Sequence, residues 1–237
     1  FTGLFTQGMV GHETYQDSDG KWLYPTDIEK HEDGSCTKID DGSPVQVGPS
    51  IKMSKSKRNV VDPQDIMDTY GADSARLFIL SDSPPDRDLE WTEAGIEGAW
   101  RFINKLYRQV LEPGVDLPAA GSPMPQTISE AAQALRKDAH KSVKAIGEDI
   151  EAFHMNKAVA RIRELSNAIG SFKVKDDSDA WVLREALAIL VQCMNPMIPH
   201  LAEELWHGLG YDTILAESPW PEADPKLLVD DTVTIGV

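Results

Sequence analysis

Four basic residues fall within seven positions of this chain: Lys52, Lys55, Lys57 and Arg58. Lys52 and Lys55 stand three apart, interleaved with the hydroxyls of Ser54 and Ser56 and with one apolar residue, Met53. Lysine is a compact, hydrated point charge on a flexible stem, which suits phosphate oxygens that shift during a reaction. The hydroxyls add hydrogen bonds to the same oxygens, and Met53 can pin the loop to a core. Such a loop fits a polyphosphate whose negative charge grows in the transition state, as when pyrophosphate departs. Taken alone, a basic pentapeptide reads more readily as a solvated turn with surface lysines.

The flanking segments supply positioning elements. Asp62-Pro63 is a helix start, with Asp as N-cap and Pro at the first helical position. A short helix follows, ended by Gly71, and Ala72–Leu80 predicts a second. Thr92 caps a long helix to about Leu111, with Ile96, Ala99, Ile103, Leu106 and Val110 on its core face and Arg101, Lys105 and Arg108 opposite. Residues 112–128, with four prolines, read as a linker. From Ser129 a stripe of Leu135, Ala139, Val143, Ile146, Ile150 and Phe153 predicts another helix; Arg136, Lys137, His140, Lys141 and Lys144 form a basic face off that stripe. Asn156 is the expected cap of the next helix, with Lys157 and Arg161 outward. Ser178 or Asp179 is the expected start of a fourth, and Pro199 opens the last. Upstream, Asp19-Gly20, Asp33-Gly34 and Asp41-Gly42 predict tight turns between short strands at 21–24, 36–39 and 45–47.

The net charge of −16 excludes a generally basic nucleic-acid surface, though not a local basic face on an acidic body. No apolar run spans a bilayer and no signal-peptide pattern opens the chain. Cys36 and Cys193 show no pairing pattern, as expected of a reducing cytoplasm. His12, His31 and Cys36 lack metal-ligand spacing, and no metal site is expected. The chain opens on Phe1 and closes on Val237, both in strand-like segments, which predicts an excised fragment, with a trimmed but complete domain as the alternative.

The pentapeptide resembles the second signature motif of class I aminoacyl-tRNA synthetases. Asn59-Val60-Val61-Asp62-Pro63 and Tyr70-Gly71-Ala72-Asp73-Ser74-Ala75-Arg76-Leu77-Phe78 resemble the same family in order and spacing. Asp88-Leu89-Glu90-Trp91, Gly95-Ile96-Glu97-Gly98-Ala99 and Trp100-Arg101-Phe102-Ile103 are similar to the leucyl branch, and Asn195 to Trp206 looks like a turn of the anticodon-binding bundle. Valyl, isoleucyl and methionyl branches are the near alternatives. A non-catalytic helical RNA-binding module is the distant one.

The resemblance implies a mainly α fold: an antiparallel helical bundle of the class I anticodon-binding type, preceded by the loop and stem-contact segment and a small β-rich insert. By that likeness residues 1–11 end a catalytic nucleotide-binding domain and 12–50 form the leucine-specific insert. Residues 51–95 hold the loop and stem-contact helices, 96–215 the bundle, and 216–237 an extended linker. It implies that Lys55, and secondarily Lys52, stabilise the departing pyrophosphate; Met53, Ser54 and Ser56 complete the ATP-binding loop. Arg76, Arg101, Lys105, Arg108, Lys141, Lys144, Lys157 and Arg161 become candidate contacts to tRNA(Leu). ATP with Mg2+, leucine and tRNA(Leu) are the implied substrates and partners of a cytoplasmic monomer. The His-x-Gly-His motif and the editing domain of the family are not in this sequence, so the fragment alone is expected to be inactive.

Overall fold

In the computed structural model, residue 4 and residues 6–229 are described. The strand-like readings at both chain ends fall largely outside those residues. The chain divides into two compact units, residues 1–98 and 99–237.

The first unit is built on β1 (Val10–Gln16), β2 (Trp22–Leu23), β3 (Ile28–Lys30), β4 (Cys36–Lys38) and β5 (Pro44–Lys52), in sheet order β2-β1-β5-β4-β3. The neighbours pair antiparallel, and β6 (Leu89–Glu90) adds to β1 in parallel. The glycines of all three Asp-Gly pairs take φ between 70° and 82°, the left-handed region that such turns need. Tyr15, Leu23, Ile28 and Cys36 form the small core, with Val45 packed on it. Tyr15 donates its phenol to Glu13 Oε2 at 2.9 Å, and Lys30 Nζ reaches the same oxygen at 2.9 Å. Burial, reinforced by Glu13, pushes the Tyr15 phenol up to about 12.

The strand expected at 45–47 runs on to Lys52, and β1 pairs with it over most of its length. Strand pairing therefore leads directly into the basic loop. A register shift between His12 and Thr14 is accommodated at Gly48, where an added Cβ would lie 2.5 Å from Thr14 Oγ1. Beyond the loop, α1 (Pro63–Tyr70) starts as expected: Asp62 Oδ1 accepts from the Gln64 amide at 2.9 Å. Gly71, at φ 84°, separates α1 from α2 (Ala72–Asp82). Phe78 of α2 meets Trp91 edge to face at 5.1 Å.

α3 (Glu93–Leu111) is capped by Thr92, whose Oγ1 accepts from the Gly95 amide at 3.2 Å. Residues 112–128 hold no regular helix or strand. Then follow α4 (Glu130–Glu151), α5 (Met155–Ser171), α6 (Asp177–Met194) and α7 (Pro199–Gly208). α4 begins where expected, and Ser129 caps it, its Oγ accepting from the Ala132 amide at 3.1 Å. Asn156 does not cap α5. The amides of Phe153 and His154 bond back to the carbonyls of Ile150 and Asp149, and Phe153 takes φ 57°, so the reversal is over by His154. Phe153 is thereby half exposed in the turn instead of on the core stripe. α6 likewise begins earlier than expected, because the Asp176 carboxylate accepts from the amides of both Ser178 and Asp179. Asp179 is buried and accepts from Ser129 Oγ at 2.8 Å.

Two contacts register α4 against α6 in one direction: Ser129 meets Asp179, and Arg136 meets Glu185. The second is a two-pronged ion pair, with Nε and Nη2 donating to the two carboxylate oxygens at 2.6 and 2.9 Å. His140 Nε2 stands 3.5 Å from Glu185 Oε1, while its Nδ1 accepts from the Asp224 amide at 3.0 Å. That acceptor role places the ring proton on Nε2, facing the carboxylate. Arg136 and His140 are therefore buried in a charge network, and the basic face expected on α4 loses both. Past α7, the Glu203 carboxylate accepts from the amides of Leu215 and Ala216 at 2.8 Å each, and Leu215 and Leu227 are buried.

Burial raises the Glu185 carboxyl, but the facing His140 and the hydrogen-bonded Arg136 outweigh it and hold the group below its ordinary value of 4.5. Its contribution is present above that value and is lost as pH falls through the lower folded one. Glu185→Ala, which strands a buried guanidinium, is expected to destabilise this chain by about 3 kcal/mol at neutral pH in urea denaturation. Acidification should then lower the urea midpoint of the parent more steeply than that of Glu185→Gln.

Candidate anion-binding loop and basic faces

The loop is held by one buried side chain that is not among the expected site residues. Asn59 is fully buried. Its Nδ2 donates to the carbonyls of His12 and Ile51, both at 3.0 Å, and its Oδ1 accepts from the Ser54 amide at 3.0 Å. One carboxamide thus ties β1, the end of β5 and the loop. The Met53 amide adds a bond to the Val10 carbonyl at 3.1 Å. Within the loop, the Ser54 carbonyl and hydroxyl accept from the Lys57 amide, and Ser54 Oγ lies 3.3 Å from Ser56 Oγ. Arg58 takes φ 56°, which turns the chain back towards Asn59.

The four loop cations divide into two pairs. Lys52 and Lys55 are exposed; Lys57 and Arg58 are half-buried. Lys57 Nζ sits 4.2 Å from the centre of the Trp22 ring, and the Arg58 guanidinium 5.0 Å from that of Tyr24. Lys52, the last residue of β5, borders a cleft of about 250 Å³ whose lining also includes Asp88 and Glu90. Met53 lines a separate, apolar cavity of about 360 Å³ with Val10, Val61, Ile66, Ile79 and Trp91. Arg76 is exposed and lies at that cavity's wall. Among the described residues, no three or more His, Cys, Asp or Glu side chains gather as a metal cluster. His12 is buried with Nδ1 at 2.9 Å from the Glu13 carbonyl, His31 contacts Thr37, and Cys36 lies in the small core.

In the second unit, the sequence-derived basic residues do not form one surface. Arg101 and Arg108 of α3 are exposed, whereas Lys105 is half-buried and donates to Asn167 of α5 at 2.7 Å. Lys141 and Arg161 come together in a groove of about 280 Å³ between α4 and α5, but Asp138 and Glu164 line the same groove. Arg161 Nε is bonded to Asp149 Oδ2 at 2.6 Å, and that hydrogen bond raises the guanidinium's affinity for its proton. Lys144 is exposed, 3.9 Å from Glu148, and Lys157 is exposed on the first turn of α5.

Asn59, Trp22 and Tyr24 are the site residues that sequence reasoning missed. Asn59 stood inside the quoted Asn-Val-Val-Asp-Pro run, and a polar residue before two valines was a signal. The aromatics carried a signal of a different kind. Leu23 points into the small core, so by strand alternation Trp22 and Tyr24 share the other face.

Comparison with known proteins assigns the two regions separately. Residues 45–92 match the family of class I tRNA synthetases (I, L, M and V), and residues 132–235 match the anticodon-binding domain of tRNA ligase. A leucine–tRNA ligase of Rhodospirillum centenum is 55% identical over all of this chain, which covers 29% of that relative. One from Paramagnetospirillum magneticum is 56% identical over the whole chain, covering 27% of it. The chain therefore spans little more than a quarter of these relatives. Among solved structures, a LeuRS–tRNA–LeuAMS ternary complex from Agrobacterium radiobacter K84 aligns over 97% of this chain and 25% of that one, with TM-score 0.67 and 23% identity. Methionyl-tRNA synthetase of Mycobacterium tuberculosis, in complex with methionyl-adenylate, shares the fold at TM-score 0.55 and 12% identity, over 82% of this chain and 70% of that one.

Asn59→Ala removes one acceptor and a donor serving two carbonyls in a buried place, which is expected to cost about 2 kcal/mol and to loosen the loop. Limited trypsin digestion should show faster cleavage after Lys52, Lys55 and Lys57 than in the parent. An unchanged digestion pattern would show that the amide does not hold the loop.

Proposed function

We propose that this chain is a segment of a leucine–tRNA ligase of the class I tRNA synthetases, and that its basic loop serves ATP-dependent activation of leucine. In the proposed reaction, a leucine carboxylate oxygen attacks the α-phosphorus of ATP. Leucyl-adenylate forms, and the bond to the β-phosphate breaks to release pyrophosphate. A hydroxyl of tRNA(Leu) then attacks the leucyl carbonyl of the adenylate, forming an ester as the acyl–phosphate bond breaks and AMP leaves. Most of the leucine pocket would lie in the remainder of the full-length protein.

The observation that carries this reading is the division of the loop cations: Lys52 and Lys55 exposed on a backbone tied at Asn59. Cations in that state are available to an incoming anion while their backbone is already ordered, so little reorganisation is needed when charge moves onto the leaving group. We assign Lys55 as the principal stabiliser of the departing pyrophosphate and Lys52 as the second. Ser54 and Ser56, 3.3 Å apart, assist, and Met53 anchors the loop in its apolar cavity. Mg2+ is proposed to arrive with ATP, where it neutralises phosphate charge.

The helices α3 to α7 are proposed to form an antiparallel bundle of the anticodon-binding type that contacts tRNA(Leu). Arg101, Arg108, Lys144 and Lys157 are its exposed candidates, with Arg76 on the first unit. Lys105, Lys141 and Arg161 are weaker ones, since each is half-buried beside an acidic or amide neighbour. Residues 12–50 are proposed as the leucine-specific insert. A cytoplasmic monomer is the simplest setting for this chemistry.

In the full-length ligase, Lys55→Ala is expected to slow leucine-dependent pyrophosphate exchange roughly a hundredfold. A rate near that of the parent would remove Lys55 from the mechanism. For the RNA face, binding of tRNA(Leu) should be weak and fall steeply between low and physiological salt. Replacing Arg101 and Arg108 by Gln should flatten that slope by about two. Filter binding across a salt series reads both.

A further inference from the structure

We propose that Trp22 is a positioning residue for the ATP step, acting through Lys57. The proposal rests on the leucine-activation reading and adds to it the device that keeps the loop's two pairs of cations apart. Lys57 Nζ lies 4.2 Å from the Trp22 ring centre, close enough for the ring's negative face to attract the ammonium. Tyr24, two residues on along the same face, holds Arg58 in the same way at 5.0 Å. Trp22 is itself fixed: it pairs with Gln16 across β1, and its neighbour Leu23 is locked in the small core. The two aromatics therefore offer a rigid surface, and the loop's trailing cations dock on it.

The consequence lies in what remains. With Lys57 and Arg58 committed to rings, and the Ser54 amide committed to Asn59, the loop backbone between them is fastened at both ends. Lys55 and Ser56, at the crest, stay exposed. Without Trp22, the crest would have to be ordered when ATP binds, and the cost would appear in ATP affinity and not in leucine affinity.

The test uses the full-length ligase and leucine-dependent pyrophosphate exchange. Trp22→Ala should raise the KM for ATP about three- to fivefold, the scale of an exposed cation–π contact, and leave the KM for leucine unchanged. Trp22→Phe, which keeps an aromatic face, should restore most of the loss, and Lys57→Arg should do better than Lys57→Met. The double variant Trp22→Ala/Lys57→Met should be no worse than the worse single. An unchanged ATP KM in Trp22→Ala overturns the proposal. So does an equal rise for ATP and leucine, which marks general damage to the fold. Losses that multiply in the double variant also overturn it, because Lys57 would then act on the nucleotide by itself. Limited trypsin digestion reads the contact without activity: cleavage after Lys57 should quicken in Trp22→Ala and not in Trp22→Phe, and identical patterns overturn the proposal. If the parent ligase shows no leucine-dependent exchange, the activation reading falls, and the digestion alone decides whether the contact holds the loop.

Discussion

The loop geometry depends on a carboxamide with no access to water. Asn59 has partners for its Nδ2 and its Oδ1, drawn from the end of β5 and the loop beside it and from β1, 47 residues away. A buried amide that missed those partners would cost more than the bonds return when made, so the arrangement is close to all-or-none. That makes the pairing of β1 with β5 a precondition of the loop and not merely its neighbour. The His12 and Ile51 carbonyls meet at one point because His12 and Ile51 are cross-strand partners in the register. The irregularity between Gly48 and Ile51 and the hairpin turns behind it set that register.

The second constraint is electrostatic. A chain with net charge −16 offers its cations many carboxylates, and several cations are paired with them. Lys30 is held by Glu13, Arg136 by Glu185 and Arg161 by Asp149. Such pairs specify which elements meet, since either partner left alone would be a partly buried charge. Other cations lie over rings, as Arg163 does over Phe102 and Arg184 over Tyr211, and the loop uses the same device. Its half-buried cations face aromatic rings, which attract a cation without carrying a full negative charge. A carboxylate in the place of Trp22 would neutralise Lys57 and draw nearby lysines towards it. A ring holds Lys57 and leaves the positive potential of the crest largely intact.

Local signals carried far in this sequence. Asp62-Pro63, Thr92 and Ser129 each mark a helix start that the structure contains, and the three Asp-Gly pairs supply their left-handed glycines. What failed was non-local. The one-sided reading of α4 assumed a single buried face, and α4 packs on both α5 and α6, so Arg136 and His140 sit in a second contact. Asn156 is a good cap by type, but Phe153 in the left-handed region closes the reversal first. The β1–β5 pairing joins segments about 35 residues apart, as Thr14 and Gly48 illustrate, and no periodicity within either strand announces the other. The same limit applies to the loop: its residue types were legible, whereas the partners of Asn59 and Lys57 were not.

These two constraints bear on how one loop can be both exposed and exact. Stabilising a leaving pyrophosphate requires cations placed before the charge appears, because reorganising them during the reaction would consume the gain. Exposed lysines are ordinarily poor at this, since each must surrender side-chain freedom to hold a position. Fixing the backbone lowers that cost without burying the ammonium groups, whose hydration would otherwise have to be stripped. The chain fixes it from below with Asn59 and from the trailing side with Trp22 and Tyr24, and it leaves Lys52 and Lys55 with only their own rotamers to order. A loop tied more tightly, with acids on all four cations, would be more ordered and would have nothing left to offer a phosphate.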